Sequence, residues 1–449
     1  MNIVIAGAGD IGSYLVLKLL SEDHEITLID KDQDSLNKVI NKYDVASVLG
    51  DCALPSNLVE AKVKEADLYI GVTDSEDVNI LSSIFAKKLG AKKVISRIKS
   101  REFRDEKGML IDLEDLGIDE KISPDLLAAR EIERILATHG AIDMFEFDKG
   151  LYSLIGVSIR TGDFFDGRRV SDIQDSVSED DFKLVAILRQ GKAIMPSKDL
   201  KYHAEDHAYL IAKKDGIEKI YSLSASESKK VKDVMILGGS KVGSYLLEDI
   251  SNKYNIRLID RDRANCERLA ESFQDVLVIH GDSRESGFLE EQNIKHMDAL
   301  IAVTGEPEMN IIACLIAKRL GVSKTIALVK DTDYSDVTYN IGVDTLVNKK
   351  TIAASFISKH IRKGGIMSFI SIPSSDIEII EFKMTKDSKI ANKKIKDLKK
   401  IQKSNAIIAG VVRGEKAIGA SQDLELMHGD RVIVAVDSRS KKALDELLI

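Results

Sequence analysis

The 449-residue sequence predicts an α/β protein in tandem duplication, with two parallel-sheet domains, each followed by a small α+β domain. Three observations carry this expectation. Short Val/Ile-rich runs alternate with segments of helical period, a glycine-rich turn joins the first strand to the first helix, and both features return in the second half of the chain. From Gly7 to Gly238, Asp51 to Asp282 and Gly90 to Gly321 the offset is 231 residues each time. Such register across most of a domain marks a duplicated fold and not a solenoid repeat.

Taken in order, a strand at 3–6 runs into Gly7-Ala8-Gly9-Asp10-Ile11-Gly12, after which Leu15, Leu19 and Leu20 line one face of a helix. Strands follow at 26–29, 46–49, 68–72 and 94–98, and Leu36, Val39 and Ile40 form the inward stripe of the second helix. A charged stretch, 99–107, then precedes Ile122-Ser-Pro-Asp125 and a helix over 126–137, with its counterpart at 346–360. Both helices are excursions from the sheet that suit contacts between copies. The small domains repeat at an offset of 224. Residues 188–200 match 412–424 and residues 205–211 match 429–434, each set reading as strand, glycine hairpin, short strand and final apolar strand in an antiparallel sheet. The expected domains are 1–140, 141–225, 233–362 and 367–449, with a linker rich in Ser and Lys at 222–233.

Bulk properties narrow the function classes. A formal net charge of −8 argues against a general hold on nucleic acid, which needs a concentrated basic surface. No apolar run approaches the ~20 residues that span a bilayer, and the first strand begins at once, so a cytoplasmic protein is expected. The widely spaced Cys52, Cys266 and Cys314 form no metal or redox motif. No P-loop, nucleophile elbow or metal-ligand cluster is evident, although carboxylates from separate chains remain open as a divalent-ion site.

The glycine turns carry the chemistry. In a Rossmann-like domain Gly7 permits the tight turn, Gly9 lets the backbone approach a phosphate, and Gly12 lets helix and strand pack. The helix-start amides then attract a pyrophosphate. Asp30 closes the second strand, where a carboxylate accepts hydrogen bonds from ribose hydroxyls and repels a 2′-phosphate, favouring NAD(H) over NADP(H). Gly238-Gly239-Ser240-Lys241-Val242-Gly243 repeats the turn and Asp260 repeats the acid. There Ser240 adds a Cβ at the Gly9 position, while Lys241 replaces Asp10 and offers a phosphate a cation. Arg97 is a phosphate or second-ribose partner whose counterpart is Leu328, so the two sites are not expected to bind equally. Thr73-Asp74 either touches a ribose or caps the next helix, and Asp51 either lines the adenine side or caps a helix. His203 and His207 have Met427 and Arg431 opposite them in the second copy, which favours packing roles over catalysis.

These residues, with Val48-Leu-Gly-Asp51, Val72-Thr-Asp74, Asn79 and the helix end at Gly90, resemble the TrkA family over essentially the full length. That family comprises peripheral regulatory subunits of Trk potassium uptake systems built from two regulator-of-potassium-conductance units. The resemblance implies a ring on the inner face of the cell membrane, bound to a membrane-embedded Trk-type transporter subunit and changing shape with a bound nucleotide. NAD(H) is the implied ligand, and ATP or ADP is accepted by related rings. By position the contacts are Gly7 to Ile11, Asp30, Thr73, Asp74 and Arg97, and in the second copy Gly238 to Val242 and Asp260, with Gly12 and Asp51 added as cofactor-site candidates by the reading of the residues above. A homo-oligomer, dimer or tetramer, is implied with no catalytic residue. Two other readings stand beside it, an NAD-dependent oxidoreductase and a nucleotide-binding scaffold without a transport partner.

Overall fold

The computed structural model describes residues 1–440 apart from 21–23, 101–102, 104–111, 138–142, 178–180, 191, 224–230, 286, 331–341, 362–365, 373–374, 387, 399–400, 402–404 and 438–439. Most of the expected linker and part of the charged stretch at 99–107 lie outside the described residues. Two compact units emerge, one of Met1–Ala128 with Asn348–Ile361 and one of Ala129–Val347 with Arg362–Ile449.

The first unit alternates β1 (Asn2–Ala6), α1 (Asp10–Leu20), β2 (Glu25–Asp30), α2 (Gln33–Ile40), β3 (Ala46–Leu49), α3 (Pro55–Glu60), β4 (Leu68–Gly71), α4 (Glu76–Leu89), β5 (Lys93–Arg97) and β6 (Glu120–Ile122), with α5 (Pro124–Ala137) leaving it. Its sheet runs β3-β2-β1-β4-β5-β6, parallel throughout. β1 from Ile3 onward and all of β4 are buried, as strands covered by helices on both faces must be. The expected five strands are present within a residue or two. β6 was not expected, because a three-residue Glu-Lys-Ile run carries no apolar pattern to read.

The second unit begins with a small domain, β7 (Asp143–Phe147), β8 (Tyr152–Ser158), α6 (Val170–Ser176), β9 (Phe182–Arg189), β10 (Lys192–Ile194), β11 (His207–Lys213) and α7 (Lys214–Leu223). Its sheet is antiparallel in the order β10-β9-β11-β8-β7. The Rossmann pattern then returns as β12 (Asp233–Leu237), α8 (Lys241–Ile250), β13 (Asn255–Asp260), α9 (Arg263–Ser272), β14 (Leu277–His280), α10 (Phe288–Glu291), β15 (Ala299–Ala302), α11 (Pro307–Arg319), β16 (Lys324–Val329) and β17 (Thr345–Asn348), in the order β14-β13-β12-β15-β16-β17. After helix α12 (Lys349–Ile361), the second small domain contributes β18 (Ile366–Ser371), β19 (Ile377–Lys383), β20 (Lys393–Lys394), β21 (Ala406–Arg413), β22 (Lys416–Ile418), β23 (Glu425–Leu426) and β24 (Arg431–Asp437). Its main sheet runs β18-β19-β24-β21-β22, the same arrangement as the first.

The two small sheets share one apolar core that includes Leu154, Val185, Ile211, Ile379, Val412 and Ile433. Tyr152 crosses it, and its hydroxyl donates to the Ile418 carbonyl at 2.7 Å. A Cβ on Gly410 would come within 2.8 Å of the Tyr152 ring, so a glycine is needed there. Each small domain also repeats a buried pair, Arg189 with Asp206 at 2.7 Å and Arg413 with Asp430 at 2.8 Å, both aspartates also accepting a backbone amide of the preceding turn. Burying a carboxylate this way is tolerable because its oxygens are saturated by donors.

The helix expected over 346–360 starts instead at Lys349, because Leu346 belongs to β17 and the Asn348 side chain accepts the Lys350 amide at 2.8 Å. Ala353, Ala354 and Ile357 join the core formed by Ile3, Leu15, Val16 and Leu19, so this face of α12 is buried within its own chain, on α1. Periodicity shows that a helix has an apolar face but not which surface covers it. Truncating a fully buried isoleucine costs about 2–5 kcal/mol. Ile357→Ala is therefore expected to lower the denaturation midpoint of the first unit, and an unchanged midpoint would show that α12 is not seated on α1.

Candidate functional site

The first site lies at the carboxyl ends of the strands, where the sheet order reverses between β1 and β4, the point at which such folds open a crevice. Its three glycines answer to different constraints. Gly7 has φ +110°, and a Cβ there would sit 2.9 Å from the Thr73 nitrogen. A Cβ on Gly12 would overlap the Gly7 carbonyl oxygen at 1.8 Å, so α1 reaches β1 only with a glycine there. Gly9 is different, since an added Cβ would meet nothing within 4 Å. The chain itself does not need Gly9 to be bare, which leaves that face of the turn open to something approaching from outside.

Asp30 holds this turn. Its Oδ2 accepts the Ala8 amide at 2.5 Å and its Oδ1 the Asp32 amide at 2.9 Å. A carboxylate has about four lone-pair positions, so acceptor capacity remains for hydroxyls on its open side. Ile11 and Gly12 are buried, whereas the Asp10 side chain is 56% exposed at the first residue of α1.

Across the crevice, buried Asn79 organises the end of β4. Its Oδ1 accepts the Thr73 amide at 2.9 Å and the Thr73 hydroxyl at 2.6 Å, and its Nδ2 donates to the carbonyls of Thr73 and Arg97, each at 3.1 Å. Thr73 is not the cap of α4, because that role belongs to Ser75, whose hydroxyl accepts the Val78 amide. Arg97 reaches the same place, with Nη1 3.2 Å from Asp74 and 3.4 Å from the Thr73 carbonyl. Its side chain is 15% exposed, and its buried Nε has no partner among the described residues. Asp74 is 96% exposed. Asp51 is used locally, accepting the Ala53 amide at 2.9 Å in the turn before α3. The structure thus brings the glycine turn, Asp30, Thr73, Asp74 and Arg97 to one sheet edge, and Asp51, next to the Gly50 amide that donates to the Asp30 carbonyl, follows β3 at the same edge while also holding the Ala53 amide.

The second site repeats the frame and changes its contents. Gly238 has φ +103°, a Cβ on Gly243 would sit 2.3 Å from the Gly238 carbonyl, and Asp260 accepts the Gly239 amide at 2.5 Å. Asn310 repeats the Asn79 bonds, donating to the Leu328 carbonyl where Asn79 donates to that of Arg97. The Ser240 hydroxyl turns back into the fold, donating to the Val303 carbonyl at 2.7 Å and accepting the Gly243 amide to cap α8. Lys241 opens α8 on the exposed side and Val242 is buried. A cleft of about 250 Å³ opens beside Gly238, Ser240 and Asp260. It also contains an ion-pair chain with no counterpart in the first site, Arg261 to Glu306 at 2.5 Å, Glu306 to Arg284 at 3.5 Å and Arg284 to Asp282 at 2.5 Å. The Arg284 guanidinium holds the Asp282 carboxyl down at about 2. Lys31, Ala53 and Ser75 occupy the matching positions of the first copy. Sequence reasoning missed Arg261, Arg284 and Glu306. A residue-by-residue comparison of the two copies is the signal that would have found them.

The TrkA-N domain family matches residues 3–124 and 234–349, and the TrkA-C domain family matches residues 379–448. The Trk system potassium uptake protein TrkA of Vibrio alginolyticus is 29% identical over 438 residues, covering 97% of this chain and 95% of that protein. A TrkA homolog of Archaeoglobus fulgidus is 29% identical over 435 residues, covering 97% of each. Among solved structures, the GsuK RCK domain superimposes with a TM-score of 0.62 at 17% identity over 100% of this chain and 94% of that one. The GsuK channel bound to NAD gives 0.61 at 16% identity over 100% of this chain and 78% of that one, a likeness of fold. With TrkA-N matches over more than half its length, one at each glycine turn, and a TrkA-C match over its last small domain, the chain belongs to the TrkA family.

Proposed function

We propose that this protein is a cytoplasmic regulatory subunit that binds NAD(H) in its first crevice and thereby gates a membrane-embedded Trk-type potassium transporter. The observation that carries the reading is the open face at Gly9 beside Asp30, where neither the turn nor the sheet accounts for the missing side chain. A dinucleotide laid over that face places its pyrophosphate on the amides at the start of α1 and its adenosine ribose on Asp30. Arg97, with a buried Nε lacking a partner among the described residues, is the cation across the crevice. The second cleft accepts a nucleotide on different terms, and ADP or ATP is the alternative ligand at either site, in line with a GsuK structure bound to ADP.

Gating then follows from linkage. A ligand that binds two ring conformations unequally shifts their populations by its differential affinity, about 1.4 kcal/mol for a factor of ten. Among the described residues no helix is long and apolar enough to cross a membrane, so the proposed route to the bilayer is through the transporter subunit. The relatives are named as potassium uptake proteins, which supports a sensor over a catalyst. Copies assembling as a dimer or tetramer would supply the ring.

Calorimetric titration with NADH is expected to give saturable binding that Gly9→Asp abolishes and Asp30→Ala weakens by about tenfold or more, ~1.4 kcal/mol for each factor of ten. Binding unchanged in both variants would refute the assignment of the first crevice. Asp30→Ala is also expected to narrow the preference for NADH over NADPH, because the repelling carboxylate is gone. A preference that stays as wide as in the parent protein would remove Asp30 from the ribose site. Potassium flux through vesicles carrying the transporter subunit should respond to NADH only when this protein is present.

A further inference from the structure

We infer that the first nucleotide site is a composite of both repeats, in which Lys350, from the helix that follows the second Rossmann fold, supplies the cation that lets Asp10 sit beside a pyrophosphate. The inference rests on the reading of the first crevice as a nucleotide site and deepens it. Asp10 is the first residue of α1 and directly follows Gly9, so its carboxylate stands where a pyrophosphate meets the helix amides. An uncompensated anion there opposes the ligand. The Lys350 ammonium lies 3.9 Å from Asp10 Oδ1, and the lysine side chain is only 16% exposed.

This placement is built into the fold. The Asn348 side chain caps α12 by accepting the Lys350 amide, and Ala353, Ala354 and Ile357 anchor the helix in the core of α1. Lys349, the preceding residue, is held by Asp125 at 2.9 Å. The duplication supplies an independent argument. The apolar set Ala128, Ala129 and Ile132 recurs as Ala353, Ala354 and Ile357 at an offset of 225, which makes Asp125 the counterpart of Lys350. Lys241 is the counterpart of Asp10. In sequence, both positions reverse sign between the copies, Asp10 and Lys350 in one set, Lys241 and Asp125 in the other. Only the first combination is an observed ion pair, since Asp125 is held by Lys349.

A phosphate binder recruited from the second repeat predicts a specific pattern of NADH affinities measured by calorimetry at several salt concentrations. Lys350→Glu should weaken NADH by about tenfold or more and Lys350→Met by about threefold to tenfold, while Lys350→Arg stays near the parent value. The slope of log affinity against log salt should fall for Lys350→Met, a change that loss of packing alone does not produce. Adding Asp10→Asn to Lys350→Met should restore most of the binding, because the opposing carboxylate is then gone. If Lys350→Glu unfolds the first unit, Lys350→Met, which keeps the aliphatic stem, carries the test. Parent-like affinity and salt slope in Lys350→Met and Lys350→Glu, with Gly9→Asp inactive, would overturn the role of Lys350 while leaving the site in place. Parent-like binding in Gly9→Asp as well would instead overturn the underlying reading of the crevice.

Discussion

The burial of α12 on α1 is the interaction on which the rest of this structure depends. α1 carries the glycine turn at its start, and its Leu15, Val16 and Leu19 share one core with Ile3, Ile5 and Leu28 of the first sheet and with Ala353, Ala354 and Ile357 from beyond the second Rossmann fold. Ala353 and Ala354 keep the contact close, since small side chains let two helices approach, and Ile357 fills the space that remains. A residue more than three hundred positions away thereby becomes a neighbour of the first nucleotide turn. In the other direction, Glu133 and the Ile135 carbonyl of α5 pair with Lys253 and Lys324 of the second repeat, so each repeat takes contacts from the other.

Duplication has kept the frame and released the contents. The positive-φ glycine, the glycine under the helix, the acidic strand end and the buried asparagine recur in both copies because each satisfies a constraint of the backbone. The open turn face, the cationic partner and the mouth of the cleft do not recur. Arg97 gives way to Leu328, Gly9 to Ser240, and an ion-pair chain from Arg261 to Asp282 lies in the second cleft. Ion pairs as exposed as these add little stability, so their consequence lies in how a ligand would meet them. The two crevices would therefore meet a ligand on unequal terms.

Much of this was legible in the sequence, and the limits have physical causes. The parallel strands could be read because a strand buried on both faces is a continuous apolar run, and the roles of Gly7 and Gly12 because only glycine fits them. Asp30 and Asp260 could be read from their place at the end of the second strand. β6 escaped because three residues of mixed polarity have no period. The cap of α4 was assigned to Thr73 as an alternative when Ser75 provides it, since two hydroxyls two residues apart look alike until the backbone is placed. The Arg261–Glu306 pair escaped because it joins ends of different strands. The partner of α12 escaped because amphipathicity specifies a face and not its cover.

Hydrogen exchange with and without saturating NADH tests the central claim most directly, namely that the nucleotide is read through the contact between α1 and α12. The account predicts slower exchange both at residues 7–13 and along 349–361, because a ligand drawing on Lys350 tightens the helix against α1. Protection confined to the glycine turn, with 349–361 unchanged, would contradict it.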